Sequence, residues 1–137
     1  MNKETQQTIC DWADEAFGEV TSAAACYQRF ADEAEELQYV FDDLLESAYH
    51  NDLVDSVEEK LSDEESVFED VLYPSKIHPE FKEDILDEAA DVLITLYRIA
   101  GMVGGDLHKR VDEKMAINRA RKWSKTGFGF GKHIKET

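Results

Sequence analysis

No apolar run in the 137-residue chain reaches the roughly 20 residues needed to cross a bilayer, so no membrane partner is expected. Met1 to Gln7 is polar and lacks the basic-then-apolar order of a secretory leader. The expected location is therefore the cytoplasm, bacterial or that of a phage-infected host. Cysteine is scarce: Cys10 and Cys26 are too few and too scattered for a disulfide framework. Both fall among apolar helical positions and read as buried free thiols. Proline occurs twice, at Pro74 and Pro79, and both break the chain in the same short region. Positive charge is also in short supply, with 15 Lys and Arg against 31 Asp and Glu and a net charge of −16. Such a surface disfavours nucleic acid or anionic lipid as a broad partner.

Strand-like alternation is missing as well, and helical periodicity runs almost throughout. The pattern predicts an all-α single domain over residues 1–137, a four- to five-helix bundle completed by oligomerisation. A first helix is expected from Glu4 to Phe17, stopped by Gly18. A second runs from Thr21 to His50, with Ala23, Cys26, Tyr27, Phe30, Ala34, Leu37, Phe41, Leu44, Leu45 and Ala48 as its apolar positions. The acidic segment 51–78 is less periodic, and Ser62 with Glu65 suggests a capping box for a short helix ending near Leu72. Pro79 suits the first position of another helix, which ends at Gly101. Gly104 and Gly105 form a hinge, and Asp106 caps a last helix reaching Trp123. The tail, residues 124–137, is glycine-rich but lacks the Lys-Ser/Thr ending of a phosphate-binding loop.

Two acids stand where apolar residues should be. At about 100° per residue, Glu33 falls inside the apolar arc of the second helix, between Val40 and Leu44. Glu36 lies just beside it. On the helix after Pro79, Glu88 borders the apolar arc and Asp91 is one step further round. An unpaired buried charge costs several kcal/mol, so each carboxylate needs a cation. If the two helices pack together, Glu33, Glu36, Glu88 and Asp91 converge as an all-oxygen set suited to Mg²⁺ or Mn²⁺. Against this, two acids three residues apart are common by chance in a chain with 31 of them.

Arg110, Lys114, Asn118 and Arg121 recur on one side of the last helix, facing either the acidic body or a polyphosphate. Arg29, four residues before Glu33, fits an ion-pair partner of Glu33 or a phosphate ligand. Trp12, Phe17 and Tyr27 fit the core or a stacked base. His50, His78, His108 and His133 are dispersed and make no zinc pattern. A di-iron bundle needs Glu-x-x-His pairs, which are absent.

Glu33-x-x-Glu36 followed by Glu88-x-x-Asp91 resembles the signature of the MazG-like all-α nucleoside triphosphate pyrophosphohydrolase family. Lys114-x-x-x-Asn118-x-x-Arg121-x-Trp123 resembles the basic element of that family. Trp12-x-x-x-x-Phe17-Gly18 is similar to the opening of its dATP/dGTP diphosphohydrolase (MazZ-like phage) branch. Residues 51–78 then read as an insertion, and Phe128 replaces the usual acidic residue of the glycine-rich ending. The resemblance implies Mg²⁺-dependent hydrolysis of nucleoside triphosphates, purine deoxynucleotides first (dGTP, then dATP), to monophosphate and pyrophosphate. It implies two or three Mg²⁺ ions, with Mn²⁺ as substitute, held by Glu33, Glu36, Glu88 and Asp91, and Glu36 acting on the attacking water. Lys114, Asn118 and Arg121 would bind phosphates, with Trp12 and Arg29 as further substrate contacts, in a homodimer or homotetramer. The competing expectation is a non-enzymatic acidic helical protein that docks on a basic partner or imitates DNA.

Overall fold

A computed structural model describes residues 3–56, 74, 77–125, 129 and 131–135, with the side chains of 48–56 left aside. Among the described residues there are four helices: α1 (Gln6–Phe17), α2 (Ala23–Ser56), α3 (Pro79–Met102) and α4 (Leu107–Ala120). A two-stranded antiparallel hairpin closes the described chain, β1 (Trp123–Lys125) and β2 (Gly131–His133). The all-α expectation holds. The short helix expected over residues 62–72 lies outside the described residues.

The ends of the helices have local causes. At α1, Thr5 is the N-cap rather than a helical residue: its hydroxyl accepts from the Thr8 amide at 3.1 Å, and the Thr8 hydroxyl accepts from the Thr5 amide at 2.8 Å. Gly18, at φ 88, stops α1 where a side chain would strain the backbone. The Ser22 hydroxyl accepts from the Ala25 amide at 3.1 Å and starts α2. Pro79 occupies the first turn of α3, and the imidazole Nδ1 of His78 accepts from the Glu80 amide. Asp106 caps α4 through the Lys109 amide at 3.1 Å.

Helices α1 and α2 each start two residues later than the sequence suggests, and three C-terminal ends differ as well. Helix α2 continues past His50 to Ser56. Helix α3 passes through Gly101 and ends at Met102, ahead of Gly104 at φ 73. Helix α4 stops at Ala120, because Arg121 is already extended (φ −83, ψ 154) and Trp123 enters a strand. The Trp123 indole N–H reaches back to the Asn118 carbonyl at 2.8 Å, so an aromatic residue that would continue a helix instead caps it.

Helix α3 is the hub. Helix α2 packs along it and α1 packs against its C-terminal half. The described core is small: Ala13, Leu44 and Ala100 are its buried apolar residues. Tyr27 and Phe41, expected inside, are exposed. The apolar arc of α2 is wider than one neighbouring helix covers. Trp12 and Phe17 are exposed too, packed edge to face at 5.3 Å. Cys10 and Cys26 are free but only half-buried. Among the described residues no helix is long and apolar enough to cross a membrane.

Candidate metal centre

The α2–α3 contact brings the two carboxylate pairs together. Oxygen atoms of Glu33, Glu88 and Asp91 lie within 4.8 Å of one another. Glu36 stands beside them, close enough for its carboxylate to raise the pKa of both Glu33 and Glu88. All four acids singled out in the sequence therefore share one cluster. Glu33 is only 4% exposed, while Glu36 and Asp91 open to solvent.

The cluster is short of positive charge. Arg29 bonds one oxygen of Glu33 at 2.5 Å, which takes up the ion-pair role open to it in the sequence. The other oxygen of Glu33, Oε2, is buried without a hydrogen-bond partner, and so is Oε2 of Glu88. Each such orphan costs the desolvation of a charged acceptor unless a ligand meets it. Burial raises the Glu33 carboxyl above its ordinary range; Arg29 opposes the shift, and Glu36 and Asp91 add to it. Glu88 is raised by burial and then by Glu36 and Asp91. Crowded carboxylates with bare, buried oxygens and no softer donor suit a hard divalent cation.

The basic residues are not part of this cluster within the chain. Lys114 and Arg121 are exposed and Asn118 is half-buried. The Asn118 side-chain amide points at Met115 Sδ, 3.9 Å away. Trp12 packs on Phe17 near the end of α1, outside the cluster. Arg98 went unnoticed in the sequence. It lies seven residues after Asp91, two turns on along the same side of α3. Its guanidinium donates to Asp14 Oδ1 at 3.3 Å and to the Gly18 carbonyl at 2.5 Å, and sits 5.9 Å from the Phe17 ring centre. The spacing to Asp91 was its one visible signal.

Two surface hollows lie elsewhere. One of about 530 Å³ runs along α2 between Tyr27 and Tyr39; the other, of about 440 Å³, lies between α1 and α3 around Cys10, Arg98 and Gly101. Neither contains the carboxylates, which reach solvent directly through Glu36 and Asp91.

No protein-family model matches the chain, and no solved structure matches it. Over 47 residues the chain is 43% identical to the dATP/dGTP diphosphohydrolase of Cyanophage S-2L. That stretch is 34% of this chain and 45% of the relative, so the match spans less than half of the relative's length.

Proposed function

We propose that the chain is a magnesium-dependent pyrophosphohydrolase that cleaves nucleoside triphosphates to the monophosphate and pyrophosphate. The observation that carries the reading is the bare, buried Glu33 Oε2 beside Glu36, Glu88 and Asp91. An acidic protein that merely docks on a basic partner, or imitates DNA, has no use for an acid in that position. The named activity of the partial relative points the same way.

By this reading Glu33, Glu36, Glu88 and Asp91 hold two or three Mg²⁺ ions, which Mn²⁺ can replace. Bound there, the metal supplies charge neutralisation for an in-line displacement at phosphorus and lowers the pKa of the attacking water. Glu33 is the fixed ligand, because packing and Arg29 hold it in place. Glu36, exposed and next to two other carboxylates, is the residue free to orient the water and take its proton. Lys114, Asn118 and Arg121 bind the phosphates, and Trp12 is a base contact. Arg29 serves chiefly to hold Glu33. The substrates are purine deoxynucleotides, dGTP ahead of dATP, and the protein works as a homodimer or homotetramer.

The test is pyrophosphate release from a panel of triphosphates with and without Mg²⁺. Glu36→Gln and Asp91→Asn should each abolish release while the helical signal is unchanged. Full activity in either variant removes that residue from the site, and a preference for dUTP or dCTP overturns the purine assignment.

A further inference from the structure

Every described arginine except Arg98 is exposed. One terminal nitrogen of Arg98 is held by Asp14 Oδ1 and the Gly18 carbonyl. Its Nε–H is different: it is buried and meets no acceptor among the described residues. A charged donor in that state is destabilising unless a ligand supplies the acceptor. Arg98 also lines the hollow of about 440 Å³ between α1 and α3. That size falls within the roughly 300–1,000 Å³ usual for small-molecule sites.

The charges around the hollow restrict what the acceptor can be. Asp14 and Glu19 line it together with Arg98, and no second cation does. Two carboxylates against one guanidinium disfavour a phosphate or a carboxylate. An uncharged acceptor with N–H donors beside it fits better. The acceptor meets Arg98 Nε–H, and the donors meet Glu19, which is exposed and makes no ion pair among the described residues. Gly101, Gly104 and Gly105 leave part of the lining without side chains, where a flat ring can lie against backbone. Guanine has this pattern, with O6 and N7 as acceptors and N1–H and the 2-amino group as donors. Adenine carries a donor where guanine carries O6.

The place of Arg98 on α3 suits the base of a nucleotide whose phosphates lie at the carboxylates. Arg98 follows Asp91 by seven residues, about 10 Å of helix, and on the same side. That separation is comparable with the reach of a deoxynucleotide from its α-phosphorus to the outer edge of its base. Phe17, with its ring centre 5.9 Å from the guanidinium, and Trp12, packed on Phe17, flank the same arginine. We propose that the α1–α3 hollow receives the base of the substrate and selects guanine over adenine. Arg98 Nε–H donates to O6 or N7, and Glu19 accepts from N1–H and the 2-amino group. This rests on the pyrophosphohydrolase reading for the identity of the substrate, but binding of the base needs no catalysis.

Two measurements test it. The first is kcat/KM for dGTP and dATP with Mg²⁺ present. Arg98→Met and Glu19→Ala should each lower the dGTP-to-dATP ratio by roughly tenfold, the loss of one charge-assisted hydrogen bond. An arginine that only braces α1 against α3 affects both substrates alike. An unchanged ratio in the two variants therefore overturns the proposal, and exposed Glu19 keeps the test open if Arg98→Met does not fold. The second follows the Arg98 Nε–H resonance of isotope-labelled wild type during titration with deoxyguanosine, which carries no phosphate for the carboxylate centre. The resonance should shift, and at concentrations where deoxyadenosine leaves it in place. If no triphosphate is cleaved, the pyrophosphohydrolase reading fails and this titration decides the hollow alone. A resonance that deoxyguanosine does not move, or that both nucleosides move equally, overturns the proposal.

Discussion

Glu33 carries more of the account than any other residue. It is buried although it carries a charge, accepts from Arg29 through one oxygen and leaves the other bare. Glu33 and Glu88 both have folded-state pKa values raised above the ordinary 4.5. The folded protein thus binds these protons more tightly than the unfolded chain does. Without metal, their ionised forms oppose folding at neutral pH, and that penalty fades as pH falls through the raised values towards 4.5. Glu88→Gln should therefore raise the thermal midpoint of chelator-treated protein at pH 7 relative to wild type. The difference should close below about pH 4.5, and saturating Mg²⁺ should reverse the order at pH 7, as scanning calorimetry can show. Much of this site was legible in the sequence, because an acid within an apolar arc is visible from helical spacing alone. Which oxygens stay bare was not, since that depends on side-chain rotamers across two helices.

The helices were readable as elements because their caps are local: Gly18, Pro79 and Asp106 all act within a few residues of themselves. The hairpin was not, since Trp123 ends α4 through a single hydrogen bond to Asn118 that no periodicity reveals. Long-range fits were equally hidden. A Cβ added at Gly101 would lie 2.9 Å from Cys10 Sγ, so this glycine is what lets α1 approach α3. Gly101→Ala should destabilise by about 1–3 kcal/mol through overpacking. Adding Cys10→Ala should recover much of that loss, and a double-mutant cycle in urea should show coupling well above 0.5 kcal/mol. Thr5→Ala, which removes the reciprocal cap of α1, should cost about 0.5–2 kcal/mol in the same measurement.

For the whole molecule, the amount of apolar surface left uncovered is the main departure from expectation. The sequence places Tyr27 and Phe41 on the apolar side of α2, and they are apolar positions in need of cover; both are exposed, and the described residues do not provide it. Periodicity reports which face of a helix wants burial but not whether its own chain or another buries it. If a second copy does so, the thermal midpoint of the wild type should rise with protein concentration, as calorimetry over a dilution series can show.

The central claim is that four carboxylates from α2 and α3 hold divalent cations. Mn²⁺ binding followed by electron paramagnetic resonance, with a non-hydrolysable purine deoxynucleoside triphosphate present, tests it most directly. The account predicts protein-bound Mn²⁺ in wild type and at least a tenfold weaker affinity in Asp91→Asn and in Glu88→Gln. Equal Mn²⁺ binding by wild type and both variants would contradict it.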